Sequence, residues 1–159
     1  MQRIRACKWG RAELFGISLA SLAVALAACG GEPSKAVPVA CKQGAGTVER
    51  SLRRAPGDVR VGGTLISDCF TRASDPGDVQ ALGLTFLPAA ERLSVDAHAH
   101  PRGPSPLRLG FLIGAIHRGA GGAQGIYAEL ERRLDQELAG VDRGSAAFRR
   151  GQRAGRAHG

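Results

Sequence analysis

An uncharged apolar run near the start of the chain limits what the remainder can fold into. The run covers residues 14–28, and four basic residues precede it within the first thirteen positions. As a helix it would be about 22 Å long, shorter than the roughly 30 Å hydrocarbon core of a bilayer. A basic stretch, a short apolar stretch and small residues at its end are typical of a secretory signal peptide. An uncleaved anchor or a buried helix is the alternative. We therefore expect residues 1–28 to be removed and the domain to form from the rest.

The residues that end this run, Leu26-Ala27-Ala28-Cys29, resemble the lipobox of bacterial lipoproteins. The resemblance implies cleavage between Ala28 and Cys29, a diacylglyceryl thioether on Cys29 and a further acyl chain, such as palmitate, on the new N-terminus. Buried methylenes contribute about 0.8 kcal/mol each, so several acyl chains would hold the protein at a membrane. We expect a lipid-anchored protein on the extracytoplasmic side of the cell membrane. Residues 29–40, with their Gly and Pro content, would form a flexible tether.

Cleavage changes both the charge and the cysteine count. Residues 1–28 hold four of the 22 basic and one of the 14 acidic residues, so the remainder has a net charge of +5, of which +4 lies in residues 142–159. The rest is nearly neutral, and nucleic acid is not an expected partner. With Cys7 in the signal and Cys29 lipidated, only Cys41 and Cys69 remain. In an oxidising compartment we expect a Cys41–Cys69 disulfide, with two free thiols as the alternative.

Helical periodicity predicts a mainly α fold: a small helical domain of about four helices with one disulfide, spanning residues 41–141. Asp75 and Pro76 have the chemistry of a helix start, and Pro88 predicts a kink or a division in that helix. Gly110 and Gly114 lie in the most apolar stretch and would let another backbone approach closely. The predicted helices cover residues 47–55, a segment beginning at 76, 107–118 and 124–141.

Residues 142–159 lose the apolar periodicity and predict a basic, disordered tail. We favour solvated disorder for this tail, and the alternative is that its arginines attract anionic lipid headgroups or acidic wall polymers. The arginines concerned are Arg149, Arg150, Arg153 and Arg156.

The sharpest chemical motif is Val95-Asp-Ala-His-Ala-His-Pro101. On an extended chain Asp96, His98 and His100 would share one face, and two imidazoles with a carboxylate suit zinc. The string resembles the Asp-x-His-x-His strand end of metal-dependent amidohydrolases, which implies that His98 and His100 are ligands. That fold is a barrel of about 250 residues, roughly twice this mature chain. We favour a solvated proline-rich loop and expect no cofactor, with zinc as the alternative.

Two further features have ordinary structural explanations. The glycine-rich segment 119–125 fits neither dinucleotide nor P-loop spacing, which favours a helix–helix connection. His117, near a helix end, complements the helix dipole. We therefore expect a membrane-anchored lipoprotein with a non-catalytic binding or structural domain that meets an envelope protein. The alternative is a small metal-binding or metal-dependent hydrolytic protein that uses Asp96, His98 and His100.

Overall fold

The computed structural model describes residues 36–121 and 125–159. The predictions for the signal peptide, for Cys29 and for residues 29–35 of the tether lie outside these ranges. The described chain is mainly helical, as predicted, and none of its helices is long and apolar enough to cross a membrane. Its elements are a 3-10 helix Val39–Lys42, α1 Ala45–Leu52, β1 Arg60–Val61, β2 Thr64–Leu65, α2 Ile66–Thr71, α3 Pro76–Ala99, α4 Ser105–Ala120, α5 Ile126–Glu137 and α6 Ala146–His158.

The disulfide joins the 3-10 helix to α2, which confirms the predicted Cys41–Cys69 pairing. Both cysteines are fully buried in the core. Between them the chain forms α1 and a two-residue hairpin in which Arg60 pairs with Leu65. The bridge therefore fixes the start of the domain to a segment 28 residues further along the sequence.

Helix α3 is the longest element, with 24 residues. It begins as predicted: Pro76 is in the first turn, and the side chain of Asp75 accepts a hydrogen bond from the backbone N–H of Asp78 at 2.9 Å. The helix continues through Pro88 without the division that this residue suggested, and it extends to Ala99. The first part of the expected proline-rich loop is therefore helical.

Helix α4 is the centre of the core. All eight residues from Leu109 to Ile116 are buried, and the helix packs against α2, α3 and α6. Helix α5 lies against α3 through Leu130 and Leu134. The hydroxyl of Tyr127 lies 2.7 Å from the carbonyl oxygens of both Phe70 and Ala73, which ties α5 to the end of α2.

The prediction of a disordered tail over 142–159 is wrong. Residues 146–158 form α6, whose first turn is capped by the side chain of Ser145. Glycines on both helices allow α6 to pack closely against α4: Gly110 faces Phe148 and Gly114 faces Gln152, so the two helices run parallel. Because a glycine surface has no side chain to hold the backbones apart, dispersion contacts between them replace apolar side-chain packing. Sequence periodicity could not detect this buried face.

The predicted domain limits of 41 and 141 are correspondingly too narrow. Val37 is buried in the core, so the last residues assigned to the tether belong to the domain. At the other end Phe148 is 1% exposed and joins the same core. The domain therefore includes all of the described residues from 36 onwards.

Candidate functional site

The predicted metal ligands lie at the C-terminal end of α3, on a helix instead of an extended chain. The expectation that alternate residues would share one face is therefore wrong, because helical neighbours are three or four residues apart. Asp96 and His100 are such neighbours, and Asp96 Oδ1 lies 2.9 Å from His100 Nδ1. The hydroxyl of Ser105 donates a hydrogen bond to the other carboxylate oxygen, Oδ2.

His98 lies apart from this pair. Its Nδ1 is 3.1 Å from the carbonyl oxygen of Gly140, in the turn after α5. Since a carbonyl oxygen can only accept, this geometry assigns the proton to Nδ1. The structure thus brings Asp96 and His100 together and directs His98 to another element. Within residues 36–121 and 125–159, no group of three or more His, Cys, Asp or Glu side chains is arranged to hold a metal ion.

The Asp96 cluster joins two helices. Ser105 is the first residue of α4, so the Asp96 carboxylate lies beside the positive end of that helix dipole. Two hydrogen bonds lower the pKa of Asp96 below its usual value, and the bond from Ser105 has a larger effect than the bond from His100. An activated serine would need its hydroxyl bonded to the imidazole. Here the Asp96 carboxylate lies between Ser105 and His100, so the hydroxyl does not contact the imidazole. The carboxylate instead links the end of α3 to the start of α4.

Gly119, in the glycine-rich segment, and His117 lie in the last turns of α4. Gly119 belongs to α4 and lies against α2, where a Cβ would overlap the carbonyl oxygen of Ser67. His117 is half-buried in the last turn of α4, and its carbonyl oxygen accepts a hydrogen bond from the N–H of Gly121 at 3.2 Å. Residues 122–124 lie outside the described chain.

A groove of about 420 Å³ runs between α3 and α5. Its lining is mostly apolar, and it includes two exposed aliphatic side chains, Leu84 at 74% and Ile126 at 40%. Glu129 and Arg133 form an ion pair at its edge, with 2.7 Å between Oε1 and Nε. Its volume lies within the range of small-molecule sites, and its walls suit an aliphatic group. The signal for it in the sequence was Leu84, an apolar residue that is not among the buried side chains of α3.

Helix α6 presents a second surface, which we call the arginine face: Arg149, Arg150, Arg153 and Arg156. All four are exposed, and at 100° per residue they lie within an arc of about 120°. The opposite side of the helix, with Phe148 and two glycines, is buried. None of the ion pairs formed within the described ranges includes a member of this face. Sequence reasoning found these residues but not their ordered arrangement.

The cation at the end of α4 has a different role. Arg118 Nη1 donates a hydrogen bond of 2.7 Å to the carbonyl oxygen of Ala157, in the last turn of α6. It therefore satisfies a carbonyl group that the helix leaves unpaired. This contact holds the C-terminal end of α6 against α4.

No protein-family model, curated protein or solved structure matches this chain.

Proposed function

We propose that the chain is a bacterial lipoprotein held at the cell membrane by lipid on Cys29. In this proposal the precursor is cleaved between Ala28 and Cys29. The helical domain then lies on the extracytoplasmic side as a non-catalytic binding or structural module.

The observation that carries this proposal is the buried disulfide. Cytosolic thiols are kept reduced, whereas exported proteins keep disulfides. Cys41 and Cys69 are both fully buried and bonded to each other, so the core of the domain includes a bond typical of an exported protein. Cys41 follows the lipobox motif by only twelve residues. The two features indicate the same compartment independently.

Lipid attachment is tested by labelling bacteria that express the full chain with radioactive palmitate. We expect label in the wild-type protein and in the matched control Cys7→Ser, because Cys7 is removed with the signal. Cys29→Ser should carry no label and should leave the membrane fraction. Label on Cys29→Ser, or unchanged attachment of that variant to membranes, would refute the lipid anchor.

Export is tested separately by trapping thiols in intact cells with an alkylating reagent before lysis. We expect neither Cys41 nor Cys69 to be modified until the denatured protein is reduced. Modification of both residues without reduction would remove the observation on which the proposed compartment depends.

A further inference from the structure

We propose that the arginine face of α6 binds the phosphate groups of anionic phospholipids in the membrane that holds the protein. That the protein is held at this membrane rests on the proposed lipid anchor. The contact itself does not, because it follows from the charge and order of α6.

The first argument is that the face is preorganised. Gly151 and Gly155 lie against the backbone of α4, where a Cβ would overlap the carbonyl oxygens of Leu107 and Phe111. The backbone of α6 is therefore already ordered before any contact with lipid. Binding of this face therefore requires no further ordering of the backbone, whereas a disordered basic tail would also lose backbone entropy.

The second argument is charge complementarity. Arg60, Arg92 and Arg143 form ion pairs with carboxylates, while the four residues of the arginine face form none within the described chain. Guanidinium groups present planar pairs of donors that match phosphate oxygens. A basic residue near an anionic membrane strengthens binding by about fivefold. Four residues on one side of a helix therefore favour the surface-bound state by several hundredfold.

The third argument applies when Cys29 carries lipid, and it concerns the reach of the segment that follows Cys29. The segment from Cys29 to Ala36 can span at most about 25 Å. The domain would thus remain close to the headgroups and would need only to rotate for the arginine face to meet them. Single-stranded nucleic acid fits this surface poorly, because Phe148 is buried and α6 has no other Phe, Tyr or Trp side chain on which a base could stack.

The experiment is arginine footprinting of the full chain. The purified protein is reconstituted with vesicles of phosphatidylcholine alone or of phosphatidylcholine with phosphatidylglycerol. Phenylglyoxal then modifies accessible arginines, and mass spectrometry gives the rate at each residue. Arg53 and Arg54, which are exposed in the turn after α1, are the internal controls. The same spectra report whether Cys29 is acylated.

We expect modification of the arginine face to slow at least tenfold with phosphatidylglycerol, and the control arginines to be unchanged. The protection should disappear at about 1 M salt, where the Debye length falls to about 3 Å. Equal rates in both kinds of vesicle, or protection of Arg53 and Arg54 instead, would overturn the proposal. An acylated Cys29 without protection leaves the anchor standing alone. Protection without acylation leaves the arginine face standing alone.

Two variants test whether the face acts as a unit. Arg150→Gln/Arg153→Gln should weaken binding to the phosphatidylglycerol vesicles by about 25-fold, because two contributions of about fivefold are lost, and Arg149 should lose most of its protection. The matched pair Arg53→Gln/Arg54→Gln should leave that protection unchanged. Thermal melts of both variants should resemble the wild type, since none of these four side chains forms a hydrogen bond within the described residues.

A wall polymer is the competing partner. Soluble polyglycerol phosphate is added to the phosphatidylcholine vesicles at the phosphate concentration of the phosphatidylglycerol sample. If the polymer protects the arginine face more strongly than phosphatidylglycerol does, it replaces the membrane as the partner. Weaker protection supports the membrane.

Discussion

Gly114→Ala directly tests the contact between α4 and α6. A Cβ at position 114 would overlap the carbonyl oxygen of Gln152 and lie 3.0 Å from the backbone N of Arg156. These are backbone atoms of the opposite helix and cannot rotate away, so the helices must separate. A gap of 0.5–1 Å already forfeits about a quarter to a half of a dispersion contact, and Phe148, fully buried on α6, would lose part of its packing.

The expected magnitude is a balance of two opposing effects. Overpacking a core typically costs about 1–3 kcal/mol, and the upper part of that range applies because the obstacle is backbone. Alanine regains about 1 kcal/mol of helix propensity. We expect a net loss of about 2 kcal/mol in the free energy of unfolding. For a domain of this size that corresponds to a Tm lower by roughly 6–10 °C. Urea unfolding measures the loss of stability, and hydrogen exchange of the α6 amides measures the separation of the two helices.

Gly83→Ala is the matched control. Gly83 is also buried within a helix, but a Cβ there would meet only the ends of two leucine side chains, Leu130 Cδ1 at 3.7 Å and Leu87 Cδ1 at 3.9 Å, which are ordinary contact distances. We expect this variant to be as stable as the wild type or up to about 1 kcal/mol more stable. If Gly114→Ala behaves like Gly83→Ala, then α4 and α6 do not make the close contact described, and the reasoning fails. The double variant Gly114→Ala/Gly155→Ala should lose less than the sum of the single losses, because one separation of the helices accommodates both methyl groups.

Three other expectations follow from single contacts. Replacing Cys41 and Cys69 by alanine should lower the unfolding free energy by about 3–4 kcal/mol, measured in urea, because the bridge closes a loop with a separation of 28 residues; an unchanged midpoint would contradict the bond. Tyr127→Phe should cost about 1 kcal/mol. Burial, and then the charge of Asp78, raises the pKa of Tyr127, so the absorbance change of its phenol should occur above pH 10. The phenol ionises at a lower pH in the unfolded chain than in the folded one. The free energy of unfolding should therefore fall above pH 10. Hydrogen bonds from Arg132 and Arg133 lower the pKa of Glu129 from 4.5 to about 2. The contribution of these ion pairs to stability is therefore complete above pH 4.5 and is lost as the pH falls towards 2. An NMR titration of the Glu129 carboxyl with an ordinary midpoint would refute the ion pairs.

Much of the fold was predictable because it depends on local signals. Asp75 and Pro76 mark a helix start whatever the rest of the chain does, since the cap satisfies N–H groups within one turn. The apolar stretch 107–118 predicted the buried helix α4, and the expectation that Cys7 is cleaved off and Cys29 lipidated paired Cys41 with Cys69. The prediction at Pro88 failed in part because tertiary packing on both sides of it keeps α3 helical. The short helix α2 had no periodic signal of sufficient length.

The arrangement of the candidate site depends on a backbone conformation that the local sequence does not specify. The string from Asp96 to His100 suits an extended chain or a helix, and each conformation groups different side chains. The structure is helical there: α3 continues to Ala99, and Ala97 in its last turn is buried. This single difference pairs Asp96 with His100 and turns His98 towards Gly140.

By itself the sequence determined where helices can begin and which side chains they bury. Those features arise from groups within a few residues of each other. Only the tertiary structure decided that residues 146–158 are ordered. Glycine has no side chain and disfavours an isolated helix, so α6 has little stability of its own. Gly110 and Gly114 on α4 supply the complementary surface some forty residues earlier in the chain, and the close approach of the two backbones holds the arginine face outward.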